Sequence, residues 1–194
     1  MKTDNFKFDP IKHEYFIDTR KIPGVTDIVG LECGTPQYAN EFHLQRGSML
    51  HKAVALWLQG RLDENSVDER IRRKVEAAKK ASKELSLNPP YLIENKMFHP
   101  LYRFGGTPDV LANKGILTDW KSSHSAATEI QEGGYIILHE QYKHPVKVAF
   151  EVVLSEEGTY KLYEYKVARC KRLFFAAYTM YNFKKEMGWK MEKS

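Results

Sequence analysis

Asp109 and the tripeptide Asp119-Trp120-Lys121 are the residues of this 194-residue chain whose types and spacing could do chemistry. From Gly115 to Lys121 the two-residue period of a strand sends Leu117, Asp119 and Lys121 to one face, with Ile116, Thr118 and Trp120 on the other. One strand earlier, across the tight Asn113-Lys114-Gly115 turn, Thr107-Pro108-Asp109-Val110 brings a second carboxylate, and a hairpin of this length can set Asp109 beside Asp119. Two carboxylates held that close repel each other unless a cation lies between them. Magnesium takes oxygen ligands in near-octahedral geometry and keeps several waters, so acids from adjacent strands are the minimum protein cage it needs. A lysine beside that ion can orient or deprotonate an attacking water and offset charge developing on phosphate. The bland alternative is a surface pair of Asp119 with Lys121, and Asp109 as a turn cap; an Asp-x-Lys tripeptide is common.

Composition bounds these readings. The chain is 42% hydrophobic and 28% charged, the balance of a folded domain rather than of a disordered one. Its length suits one core and one domain over residues 1–194. The net charge of +5 suits a polyanionic partner, though many soluble proteins are as basic. Cys33 and Cys170 are too few and too far apart for a disulfide framework, an iron–sulfur cluster or a cysteine zinc site. The N-terminus lacks the apolar core of a signal peptide, and no apolar run approaches the roughly 20 residues of a membrane span. A soluble, cytoplasmic protein with no membrane partner is expected.

The elements that must position the acids can be read in order. Residues 6–18 alternate aromatic and polar side chains around Asp9-Pro10, a hairpin within an N-terminal region 1–30 that Pro23-Gly24 interrupts. A helical region over 38–86 contains a helix from Tyr38 to Gly60 and a charged amphipathic helix over 66–86, which Asn88-Pro89-Pro90 ends. Residues 91–166 form the catalytic sheet, with strands at 91–98, 101–104, 107–112, 115–121, 146–154 and 159–166. A helix over 126–142 is inserted into it. Gly133-Gly134 inside that helix costs roughly 1 kcal/mol per glycine against alanine, so a packing or functional reason is expected. An aromatic-rich terminal helix occupies 167–188. The order implies an α/β fold with a mixed central sheet flanked by helices and an N-terminal β-hairpin.

Thr107-Pro108-Asp109 followed by Asp119-Trp120-Lys121 resembles the Pro-Asp and (D/E)XK elements of the PD-(D/E)XK nuclease superfamily, in particular its RecB-like and phage exonuclease branch. Further features follow in that branch's order. His13-Glu14-Tyr15 and Ile22-Pro23-Gly24-Val25-Thr26-Asp27-Ile28 resemble its lead-in. Arg46-Gly47-Ser48-Met49-Leu50-His51 is similar to its Arg-Gly-x-x-x-His helix, and Gln131 with Tyr135 to its Gln-x-x-x-Tyr element. Each motif is weak alone; the ordered set, from His13 to Tyr135, is strong.

The resemblance implies a restriction-endonuclease-like core and a metal-dependent DNA exonuclease of phage or mobile-element recombination and repair. Catalysis would fall to Asp109, Asp119 and Lys121. One or two Mg²⁺ or Mn²⁺ ions would be held by His51, Asp109, Asp119 and the Trp120 carbonyl, with Glu94 an extra acidic position that some relatives use. DNA would be held by Gln131, Tyr135 and Arg46, the last by bidentate phosphate contact. On their own, His51 reads as a satisfied boundary histidine, Glu94 as an exposed strand acid and Arg46 as solvated. His43, His99, His124, His139 and His144 show no compact ligand spacing and are assigned to structure. Tyr160, Tyr163, Phe174, Phe175, Tyr178 and Tyr181 are read as packing groups, with a stacking platform for bases as the other reading. A non-catalytic DNA-binding subunit and a small-molecule metallohydrolase remain as alternatives. A homo-oligomer and a single-strand-annealing or recombination partner protein stay open.

Overall fold

The computed structural model describes residues 5–33 and 41–188. The N-terminal hairpin forms as β1 (Phe6–Asp9) and β2 (Glu14–Ile17), extended by β3 (Arg20–Ile22) into a three-stranded antiparallel sheet. The chain then enters α1 (Val25–Cys33), a helix for which the sequence carries no clear periodic signal. Its buried Val25, Ile28 and Val29 stand at helical spacing, but β-branched residues in so short a segment hid the period.

Helix α2 spans Glu41–Leu58; the expected start at Tyr38 and the side chain of His43 lie outside the described residues. Helix α3 (Glu69–Glu84) begins later than expected because Asp68 caps it, its carboxylate accepting the Arg70 N–H, after a short 3-10 turn at Glu64–Ser66. The segment expected as strands at 91–98 and 101–104 divides differently. It forms β4 (Leu92–Ile93), β5 (Met97–His99) and β6 (Phe104–Gly106), with a turn at 100–103 in which Arg103 takes a left-handed φ of 53°. Strands β7 (Val110–Ala112) and β8 (Ile116–Lys121) follow, then α4 (Ala126–Gln141), β9 (Val148–Leu154), β10 (Tyr160–Tyr165) and α5 (Val167–Glu186).

The fold is mixed α/β. One five-stranded sheet has the order β10-β9-β8-β7-β4, with β5 and β6 pairing separately, so the middle of the chain builds two sheets rather than one. β8 and β9 are parallel, joined through α4; the other pairs in the large sheet are antiparallel. The alternation read from sequence decides what each face buries. Trp120, Val110, Val152 and Leu154 meet Leu50, Val54, Ile71, Val75 and Ala78 of α2 and α3. On the opposite face Leu111, Leu117 and Ala149 meet Ile28, Ile136, Leu138 and Phe174 of α1, α4 and α5. Burying large apolar side chains such as these contributes roughly 1.5–3 kcal/mol each, and the two cores clamp the sheet that carries the acids.

The glycine pair of α4 has a packing reason. A β-carbon on Gly133 would lie 2.1 Å from the Cys170 carbonyl oxygen, and one on Gly134 would lie 2.7 Å from both the Phe174 ring and a Val25 methyl. Only glycine lets α4 come this close to α5 and α1.

Candidate active site

The β7–β8 hairpin pairs Val110 with Thr118, Leu111 with Leu117 and Ala112 with Ile116. Continuing that register by one residue sets Asp109 opposite Asp119, as the sequence led one to expect. The Asp109 carboxylate accepts the Trp120 backbone N–H at 2.9 Å through Oδ2, and its Oδ1 stands 3.1 Å from His51 Nδ1 on α2. Asp119 Oδ2 meets Lys121 Nζ at 2.8 Å, and Oδ1 accepts from Gln131 Nε2 at 3.2 Å; the same amide donates to the Tyr135 hydroxyl at 3.0 Å.

Asp109, Asp119, Lys121, His51, Gln131, Tyr135 and Glu94 all line one cleft of about 550 Å³. Glu94 reaches it from a left-handed turn (φ 46°), its N–H donating to the Asp109 carbonyl at 2.9 Å. Trp120 enters only through its backbone, since its ring is buried on the other side of the sheet.

Arg46 does not join them. Its guanidinium meets Glu156 Oε1 at 2.6 Å and the Arg70 carbonyl at 3.1 Å, and Lys74 Nζ holds the same carboxylate oxygen at 2.9 Å. Arg46 therefore ties α2 to α3 and to the β9–β10 turn.

Burial sets the electrostatics. It raises the Asp119 carboxyl to about 6, with repulsion from Asp109 adding to it and the Lys121 ammonium opposing. Burial would raise Asp109 too, but His51 and Lys121 outweigh it and hold that carboxyl low. Burial works against the His51 cation, yet Asp109 beside it lifts the imidazole to about 9. Lys121 is kept firmly protonated, the two aspartates overriding its burial. The centre is thus a close set of two acids and two cations.

Two carboxylates and a third acid at Glu94 are hard oxygen donors, and with a borderline imidazole nitrogen beside them they suit a divalent cation. Asp119 Oδ2 is buried, and its close partner is the Lys121 ammonium at 2.8 Å. Among the described residues, no group of three or more His, Cys, Asp or Glu side chains is drawn together tightly enough to hold an ion as it stands. In this arrangement His51 and Lys121 supply the positive charge that a metal would bring.

Much of the cleft wall carries no sequence signal of its own. Phe8, Pro10 and His13 of the hairpin, Thr26 of α1, and Ser48, Lys52, Lys96 and Thr107 also line it. The Tyr15 hydroxyl meets Thr107 Oγ1 at 2.8 Å, which fixes the hairpin to the residue two before Asp109. Two buried acids were missed as well. Glu132, fully buried in α4 with neither oxygen hydrogen-bonded, is pushed well up by burial and by Asp119. Glu151 is buried in β9, and a charge inside the apolar run Val148–Leu154 was the available signal.

No family model and no curated protein matches the chain. Among solved structures, the alkaline exonuclease LHK-Exo from Laribacter hongkongensis is 13% identical over 87% of this chain and 92% of that one, with a TM-score of 0.34. The same enzyme in complex with dAMP gives 14% identity over 86% and 93%, with a TM-score of 0.36. SSO0001 gives 13% identity over 81% and 84%, with a TM-score of 0.37. At this level of likeness a functional reading must stand on the side chains. No helix of the described residues is long and apolar enough to cross a membrane.

Proposed function

We propose that this chain is a divalent-metal-dependent deoxyribonuclease of the PD-(D/E)XK type, an exonuclease acting in phage or mobile-element recombination and repair. One observation carries the reading: Asp109 and Asp119 face one cleft from adjacent strands, with Lys121 on Asp119 and His51 on Asp109. Asp109, Asp119, His51 and the Trp120 carbonyl, with Glu94 at hand, would hold one or two Mg²⁺ or Mn²⁺ ions. When bound, such an ion acidifies water and neutralises phosphate charge.

The chain's own groups do the rest. Lys121, kept cationic, places its ammonium where it can orient the nucleophilic water and offset charge on the phosphate as the P–O bond breaks. Before metal binds, His51 keeps the Asp109 carboxylate ionised and aimed; as a ligand its imidazole would be neutral. Gln131 and Tyr135 hold Asp119 in line and face the cleft, where the strand would lie. Arg46 reaches a DNA phosphate only if Glu156 releases it.

The experiment is to incubate end-labelled linear duplex and closed circular DNA with Mg²⁺ or Mn²⁺. Loss of the linear form with the circle intact supports an exonuclease. Cutting of the circle makes it an endonuclease, and no degradation of either, with DNA still bound, leaves a non-catalytic DNA-binding subunit.

A further inference from the structure

The row of side chains that begins at Asp109 does not end at Asp119. In the parallel register of β8 with β9, Asp119 is the partner of Glu151, and in the antiparallel register of β9 with β10, Glu151 is the partner of Tyr163. The next row along the same sheet face runs Lys121, Val153, Lys161. Neighbouring strands lie about 4.8 Å apart, so Lys161 and Tyr163 stand roughly 10 Å across the sheet from Lys121 and Asp119, on their face. Lys161 is exposed; Val153 and Tyr163 are half-buried.

His124 closes over this extension. Its ring stacks on Tyr163 with centroids 4.0 Å apart and planes 12° from parallel, and its Nδ1 meets Glu151 Oε2 at 2.8 Å. Glu151 is itself immobilised: it accepts the Ser125 N–H at 3.1 Å, the Thr128 hydroxyl at 3.2 Å and the Tyr165 hydroxyl. One ring face of His124 is covered by Tyr163 and one nitrogen is held by a buried acid, yet 44% of the side chain is exposed. Those two contacts set the ring's orientation. His124 follows Lys121 by three residues, a reach of at most about 11 Å of chain.

We propose that His124, braced by Tyr163 and Glu151, is a shelf on which an unpaired nucleobase of the strand stacks, with the ammonium of Lys161 meeting that strand's phosphate. The inference rests on the nuclease reading and adds its substrate form: a single strand, or a frayed end, lying across β8, β9 and β10 beside the acids. A flat ring fixed before binding loses little freedom when a base stacks on it, and stacking accepts any base because each has a π-face.

The test measures fluorescence anisotropy of a labelled oligodeoxythymidine of about twelve nucleotides with the Lys121→Ala chain, alone and combined with His124→Ala or His124→Phe. His124→Ala should weaken binding about ten-fold, and His124→Phe, which keeps the ring and loses the Glu151 contact, should stay within about three-fold of the parent. Placing an abasic nucleotide at each position in turn should find one at which the parent loses about ten-fold and His124→Ala loses nothing more. Equal binding by all three chains overturns the shelf, as does a His124→Phe chain as weak as His124→Ala. If the wild-type chain neither cleaves nor binds DNA, the nuclease reading itself fails and the shelf with it. If the wild-type chain cleaves and the His124 variants cleave and bind as it does, the shelf alone falls.

Discussion

His51 Nδ1 stands 3.1 Å from Asp109 Oδ1, so the middle of α2 is joined to the start of the β7–β8 hairpin by one charged contact. The imidazole is lifted to about 9 and the carboxyl is held low by the same proximity. Each group keeps the other charged across the neutral range.

That contact and the neighbouring Asp119 give the metal-free protein a pH-dependent stability. A folded pKa raised above its unfolded value stabilises fully below the unfolded value and is lost as pH rises through the folded one. For Asp119 the window is about 4 to 6, and for His51 about 6.5 to 9. Asp109, held low, works the other way, its contribution lost as pH falls through its folded value. Thermal melts in chelator from pH 4 to 9 should show stability declining through both upper windows. Asp119→Asn should flatten the lower one, by on the order of 1–3 kcal/mol. An unchanged profile in Asp119→Asn would remove the electrostatic account.

Divalent metal should reverse that decline. Added Mg²⁺ or Mn²⁺ binds only the folded chain and stabilises it, by about 2.7 kcal/mol at one hundred times the dissociation constant. His51→Ala should weaken the effect about ten- to one hundred-fold in metal concentration, and Asp109→Asn should abolish it. Melts with titrated metal decide the matter; wild-type and Asp109→Asn curves that shift alike would show that the ion sits elsewhere.

Gly133→Ala should be among the most destabilising single methyl additions, because its β-carbon would lie 2.1 Å from a backbone oxygen of α5. A loss of about 3 kcal/mol or more is expected in urea denaturation, at the upper end of overpacking costs. A change below 1 kcal/mol would mean that α4 and α5 do not meet as described.

Glu132 makes the opposite prediction. Burial and Asp119 push its carboxyl well up, so the native chain prefers it protonated and loses stability as pH rises through that raised value. Glu132→Gln keeps the shape without the proton. It should match wild type to within about 1 kcal/mol near pH 4.5, the free carboxyl's value, and become more stable than wild type as pH rises above it, which parallel denaturation curves at pH 4.5 and 9 would show. Strong destabilisation at both pH values would mean that the carboxylate is ionised and paired.

Much of the β7–β8 hairpin was legible in the sequence because strand alternation and turn chemistry are local rules. Leu117, Asp119 and Lys121 on one face, and Asp109 one strand away, needed only the two-residue period and a three-residue turn. His51 and Gln131 were legible only through ordered spacing relative to those acids, since nothing local distinguishes them. The hairpin wall at Phe8 and His13 was not legible, because it reaches the cleft through the distant contact of Tyr15 with Thr107. His124 read as structural for the same reason: its Glu151 and Tyr163 partners lie 27 and 39 residues on, in strands whose register the sequence does not state. Arg46 was placed by spacing from His51, and its partner Glu156, 110 residues away, lay beyond any local rule.

The most direct test of the central claim separates chemistry from metal binding at Lys121. Cleavage of end-labelled linear DNA and the metal-induced rise in melting temperature are measured together for the wild-type chain and for Lys121→Ala. The account predicts that wild type degrades the DNA and that Lys121→Ala is slower by about a thousand-fold or more, while metal still raises its melting temperature. A Lys121→Ala chain that cleaves at the wild-type rate, or a wild-type chain that binds metal and DNA without cutting, would contradict it.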